Sequence, residues 1–140
     1  MRQLMGGLEM QGIKWSRSAT FALMLVVAST LLADKAAAQS QLLEAYSAFL
    51  GSADHFNSKG VRLTQPWQII RQDRANFHKF GLGDPGDDGD RYFASAENRG
   101  RMEQMILNGT IERSAASRIV NSNVWITVEI YSDFVNVTVQ

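Results

Sequence analysis

Two runs of alternating side chains near the C-terminal end constrain this chain more than any other feature. Val124, Ile126, Val128 and Ile130 alternate with Trp125, Thr127, Glu129 and Tyr131, and Val135, Val137 and Val139 resume the rhythm after a break. A period of two puts every second side chain on one face, so each run reads as a strand with one buried side. With Ser132-Asp133 as the turn, an antiparallel register sets Ile130 opposite Val135, Val128 opposite Val137 and Ile126 opposite Val139. The other face then pairs Tyr131 with Phe134 and Thr127 with Thr138. A slip of one residue would send every aliphatic side chain to the wrong face. Ser-Asp is not the favoured turn dipeptide. A lone hairpin is marginal in water, so its aliphatic face needs helices to cover it.

The preceding segments supply such helices. Ser40 is placed to cap a first helix in which Leu42, Tyr46, Phe49 and Leu50 recur at helical spacing before Gly51. A polar, turn-rich stretch from Asp54 to Gly60 follows, then Val61-Arg62-Leu63, a short extended piece and the candidate third strand. Thr64 precedes a second helix with Pro66 in its first turn, running to about Phe80 and stopping at Gly81. After a loop, a third helix is expected from Arg91 to Leu107, closed by Asn108-Gly109. Thr110 then opens a shorter helix with Ile111, Ala115 and Ile119 on one side. The expected class is α+β: three to four helices packed on a C-terminal antiparallel β-hairpin.

The N-terminal region reads as an export signal. Lys14 and Arg17 precede a charge-free, mainly apolar run from Ala19 to Ala33, and Ala36-Ala37-Ala38 offers small residues for cleavage after Ala38. The run falls short of the roughly 20 apolar residues of a membrane span. No twin arginine flanks it, which points to the general secretion route. Residues 1–38 are therefore expected to be a secretory signal peptide and 39–140 one small globular domain, periplasmic or secreted. The chain has no cysteine, so that domain must be held by an ordinary packed core and not by disulfides. Beyond the signal, acidic residues outnumber basic ones by two. That balance excludes the basic patch of a nucleic-acid binder and the polybasic surface of a membrane-bound protein.

Motifs of catalysis are missing. The chain holds no Gly-x-Ser-x-Gly, no phosphate-binding glycine loop, no His-Glu-x-x-His and no thiol, and its two histidines are His55 and His78. On the second helix, Pro66, Ile69, Ile70, Phe77 and Phe80 fall on one apolar stripe with Asp73 in its middle. Trp67, Arg71, Arg74 and His78 form a neighbouring stripe, a solvated flank beside a core-edge tryptophan. A carboxylate on a buried face requires a partner. The third helix offers Arg99, on an inward stripe with Tyr92, Ala96, Gly100, Glu103, Ile106 and Leu107. An Asp73–Arg99 pair is expected where the two helices cross near Gly100, whose missing side chain suits a close backbone approach. The competing functional reading makes Asp73 a carboxylate in a cleft, with Arg71, Arg74 or His78 contacting a substrate. His55, in a turn-rich stretch without companion ligands, is read as a surface or loop-pinning residue and not a metal ligand.

The loop Asp84-Pro85-Gly86-Asp87-Asp88-Gly89-Asp90 concentrates hard oxygen donors and partly matches a calcium loop, but Gly86 and Ser95 stand at two ligand positions. Those two departures weaken the match, and a solvated turn with Asp90 at a helix N-terminus is the favoured reading. No catalytic residue, metal ligand or cofactor is assigned. The expectation is a small, non-catalytic interaction or structural module of the bacterial cell envelope, with an envelope protein as partner through an exposed edge of the last strand. The alternatives are a small carboxylate- and histidine-dependent enzyme, or a calcium-responsive domain using Asp84–Asp90.

Overall fold

The computed structural model describes residues 41–140; the expected signal segment, 1–38, lies outside the described residues. The chain folds as an α+β unit. Strand β1 (Glu44–Leu50) leads through a 3-10 turn (Ser52–His55) to helix α1 (Pro66–Ala75), which continues as a π-helical turn (Asn76–Phe80). Helices α2 (Ala96–Gly100) and α3 (Met102–Asn108) follow, then strand β2 (Thr110–Ile111), helix α4 (Arg113–Asn121), and strands β3 (Val124–Ile130) and β4 (Val135–Val139). The sheet is mixed, in the order β1-β3-β4-β2.

β3 and β4 are adjacent and antiparallel, with Ile130 opposite Val135, Val128 opposite Val137 and Ile126 opposite Val139. Beyond the ladder, the Tyr131 amide donates to Phe134 O at 3.0 Å, and the two rings stack at 4.3 Å. The hairpin is nevertheless only half of the sheet. β1 pairs antiparallel with β3 over its whole length, from Glu44 opposite Ile130 to Leu50 opposite Val124. β2 pairs parallel with β4 through Thr110 and Ile111.

Four expectations need correction. Residues 44–50 form a strand where a helix was expected. Tyr46, Ala48 and Leu50 also recur at period two, and that face is the one buried. Seven residues of ladder with β3 outweigh the helical spacing, and Leu42, which that spacing would have buried, is left in solvent. Val61–Leu63 does not enter the sheet; it makes one bridge, Arg62 to Phe56, inside its own loop. Thr110 and Ile111 form β2, so α4 begins only at Arg113, after Glu112.

The expected third helix is broken. Ser95 caps α2, and the flattened backbone at Arg101 (ψ −5°) separates α2 from α3. The break rotates the buried face: Phe93, Arg99, Met102, Met105 and Ile106 turn inward, while Leu107 is 70% exposed. No backbone passes Gly100, where an added Cβ meets nothing within 4 Å. The close approach is at Gly109, where an added Cβ would lie 1.8 Å from the Val135 carbonyl oxygen.

A single core joins the inward sheet face (Tyr46, Ala48, Leu50, Val124, Ile126, Val128, Ile130) to Ile69, Ile70, Met102, Met105 and Ile119 from the helices. Each such aliphatic side chain contributes about 1.5–3 kcal/mol on burial. β4 is interior, flanked by β3 and β2, so the last strand is not the expected free edge. β1 is an edge strand, but the acidic loop straps it. Asp87 Oδ1 accepts from the Phe49 amide at 2.7 Å, Asp88 Oδ2 accepts from the Ser47 amide at 3.0 Å, and the Asp88 amide donates to Ser47 O at 2.8 Å.

Candidate functional site: a groove between α1 and the 52–63 segment

The charged residues of α1 divide into a buried set and an exposed set, and the division differs from the one expected. Arg74, assigned to a solvated flank, is fully buried (0% exposed). Its Nε donates to Asp73 Oδ2 at 2.7 Å, and its Nη1 donates to Asp90 Oδ2 at 3.2 Å and to Asp88 O at 3.0 Å. The guanidinium carbon lies 4.2 Å from the Tyr46 ring centroid and 4.8 Å from that of Phe77. His78 Nε2 lies 2.9 Å from the same Asp90 oxygen. Arg74 Nη2 and the Tyr46 hydroxyl have no hydrogen-bond partner among the described residues.

Asp73 does not meet Arg99. Arg99 Nη1 donates to Phe93 O and Ala94 O, at 2.6 and 2.9 Å, closing the turn before α2. The physical reason is local. Breaking the 91–107 segment turns Arg99 back onto its own approach loop, and Arg74 is already beside Asp73. Burial pushes the Asp73 carboxyl up to about 7, against the pull of the adjacent Arg74. The cluster is enclosed packing: Asp73 is 3% exposed and lines none of the concavities described below.

The acidic loop is committed in the same way. Asp87 Oδ2 accepts from the Asp84 amide at 2.8 Å, and Asp90 Oδ1 accepts from the Phe93 amide. Asp87, Asp88 and Asp90 thus direct their oxygens at backbone amides, Arg74 and His78. Among the described residues no group of three or more His, Cys, Asp or Glu side chains is arranged to hold a metal ion.

The open face of α1 lines a groove. One part, about 390 Å³, is bordered by Trp67, Arg71 and Ala75 on α1, by Lys79 on the π-helical turn, and by Asn57, Ser58 and Leu63 opposite. A second part, about 380 Å³, shares Asn57, Ser58, Gln72 and Phe80 with the first and adds Asp54, Phe56, Asn76, Leu82 and Asp84. Phe56, Phe80 and Leu82 are 41%, 48% and 69% exposed. Phe80 was expected on the buried stripe. The π turn adds a residue to the last turn of the helix, so the 100° phase that buries Ile69, Ile70 and Asp73 no longer applies there.

Hydrogen bonds fix both walls. Along the floor, Gln72 Nε2 donates to Asn76 Oδ1 at 2.9 Å, and Asn76 Nδ2 donates to Asp54 Oδ1 at 2.8 Å. The Gly51 amide donates to Asp54 Oδ2 at 2.9 Å. Burial raises the Asp54 carboxyl above the ordinary range, opposed by these hydrogen bonds. The opposite wall is stapled by Asn57 Oδ1, which accepts from the Lys59 and Val61 amides, and the chain reverses at Gly60 (φ 74°). Of the two roles expected for His55, a surface residue or a loop pin, burial excludes the first and its contacts fit the second. Its Nδ1 lies 2.9 Å from Gly51 O and its Nε2 2.9 Å from Ile119 O. Arg62 Nη2 donates to Val120 O at 3.0 Å, so His55 and Arg62 both engage the carbonyl end of α4.

Sequence reasoning did not find this groove. Its one available signal was Phe56, an aromatic residue inside an otherwise polar stretch. Arg71 and Lys79, read as an exposed flank and an outward position, do reach solvent, and neither forms an ion pair among the described residues. No protein-family model matches the chain, and comparison with characterised proteins and with solved structures finds no match.

Proposed function

We propose that this chain is a small exported, non-catalytic interaction module of the cell envelope that receives its partner in the groove between α1 and the 52–63 segment. The observation that carries the reading is a preformed concavity in which hydrogen-bonded walls hold Phe56, Phe80 and Leu82 open to solvent. Keeping large apolar surface exposed costs solubility and is retained where a partner covers it. Export rests on the charged, apolar and small-residue order of the first 38 positions.

The enzymatic alternative loses its support in the placement of its residues. Asp73 is enclosed with Arg74, His78 is taken up by Asp90, and both nitrogens of His55 face backbone carbonyl oxygens. The calcium alternative loses support because Asp87, Asp88 and Asp90 already receive amide or cationic donors.

Two measurements test the proposal. N-terminal sequencing of the protein from the envelope fraction should begin at Gln39; an intact chain in the cytosol would sink the export half. A photo-crosslinking side chain at Leu82 should capture a discrete envelope partner in the producing cells, and one at Ser117, exposed on α4, should not. Equal capture from both positions, or from neither, would refute the groove as the binding surface.

A further inference from the structure

We infer that the groove takes an extended, acidic segment of a partner polypeptide, its carboxylates facing Arg71 and Lys79 on the α1 wall. This rests on the groove being the binding surface and adds the chemistry of what it binds. Arg71 and Lys79 both border the groove and are exposed, with no carboxylate in ion-pair contact among the described residues. The buried Arg74, by contrast, has Asp73 and Asp90. The groove therefore offers two cations that an acidic partner would neutralise.

Spacing favours an extended chain. Arg71 lies on α1 and Lys79 eight positions further on, in the π-helical turn, so about two helical turns, roughly 10–11 Å of axis, separate them. In an extended strand, residues four apart lie about 13 Å apart and on the same side. Two such acidic side chains would meet the two cations together, while the residues immediately inside them, at the second and fourth places, turn to the opposite wall. That wall carries Leu63 and Phe56, which suits apolar intervening residues.

The floor and the opposite wall together are chemically mixed. Gln72 uses its amide nitrogen on Asn76, and Asn57 uses its carbonyl on two backbone amides. That leaves Gln72 Oε1 as an acceptor and Asn57 Nδ2 as a donor, the complement of a peptide group. A phosphate or a nucleic-acid backbone presents acceptors alone, and it would approach Asp54 and Asp84 at the other end of the groove against like charge. Those two aspartates border the second part of the groove and not the first, so the acidic side chains of the segment belong to the part lined by Arg71 and Lys79.

The test is fluorescence anisotropy on the exported domain, using a short dye-labelled peptide with two glutamates four residues apart and leucine or phenylalanine between them. A second peptide replaces both glutamates by lysine. The wild-type domain should prefer the glutamate peptide by about tenfold or more, equivalent to about 1.4 kcal/mol. The double variant Arg71→Glu/Lys79→Glu should invert that preference with an unchanged melting temperature, and Arg113→Glu, an exposed cation on α4, should leave it intact. Equal affinity for the two peptides, or a preference that survives charge reversal, would overturn the acidic-segment inference. If Leu82 crosslinks to a partner persist in that case, the groove itself stands; if they are lost as well, both fall. Binding of anionic lipid vesicles or inorganic phosphate with neither peptide bound would also overturn it.

Discussion

Replacing Arg74 by Met tests the central physical reading of this fold. The guanidinium neutralises Asp73 at 2.7 Å and Asp90 at 3.2 Å, holds the strap through Asp88 O, and lies against the Tyr46 and Phe77 rings. Methionine keeps much of the apolar stem and removes every donor. Breaking a buried ion pair from one side costs about 3–5 kcal/mol, because the remaining charge stays buried without compensation. Here Asp73 loses its one side-chain partner, while Asp90 keeps His78 and the Phe93 amide, so the expected loss lies within that range. A domain of about 100 residues has roughly 5–15 kcal/mol in total, so Arg74→Met should retain at most a marginal fold at neutral pH. The penalty must also depend on pH. In the wild type the Asp73 carboxyl already titrates near 7, raised by burial and opposed by Arg74. Without Arg74 its folded-state value rises further, and the unfolded value stays near 4. Wild-type stability therefore stops falling with pH above about 7, whereas that of the variant keeps falling. Urea denaturation followed by tryptophan fluorescence at pH 5 and pH 8 reads both effects. A penalty below about 1 kcal/mol at pH 8, or one of equal size at the two pH values, would show that the cluster does not carry the energy assigned to it.

Asp73→Asn keeps the shape and removes the proton equilibrium. Between about pH 4 and 7 the folded wild type holds a proton that the unfolded chain has lost, so this group's contribution declines as pH rises, by up to about 1.4 kcal/mol per unit. The Asn variant lacks that decline and should gain on wild type from pH 5 to pH 8; parallel denaturation curves would refute the shift. Gly109→Ala drives a methyl into the Val135 carbonyl oxygen and should cost several kcal/mol, whereas Gly100→Ala meets open space and should be neutral or stabilising by up to about 1 kcal/mol. Thermal melts that rank the two the other way would show that the chain paths at α2 and β2 are misread. Asp87→Ala removes the acceptor of the Phe49 amide and should cost about 1–3 kcal/mol, with faster hydrogen exchange at Phe49 and unchanged protection in β4. Equal protection at Phe49 in both proteins would mean that the strap does not close the edge.

The hairpin was legible in the sequence because its signal is local. Strict alternation over two nearby runs specifies the strands and their register together, and the observed pairs of Ile126, Val128 and Ile130 with Val139, Val137 and Val135 follow from it. β1 was not legible for the opposite reason. Tyr46, Phe49 and Leu50 satisfy a helical spacing as well as Tyr46, Ala48 and Leu50 satisfy a strand, and the partner that decides between them is eighty residues away in β3. Helix phase was readable only while the helix stayed regular. The wheel placed Ile69, Ile70 and Asp73 correctly on the buried side, but it missed Arg74 and misplaced Phe80 beyond the π turn.

The acidic loop shows why a chemically distinctive motif can be visible in sequence while its purpose is not. Clustered aspartates advertise oxygen acceptors, and a cation is the acceptor's most familiar counterpart. Inside this fold the donors are backbone amides: Ser47 and Phe49 on β1, Asp84 within the loop, and Phe93 ahead of α2. These donors exist only because β1 is an edge strand and the α2 approach is a turn, and neither fact can be read from the loop itself. The same chain of dependence reaches the groove. The strap presents Asp90 to Arg74, the cluster around Arg74 holds one side of α1 in the core, and the opposite side is thereby left facing solvent with Arg71 and Lys79. A binding surface made from the unused face of a helix has no motif of its own. It becomes visible only when the charges that build the core have been separated from those that do not.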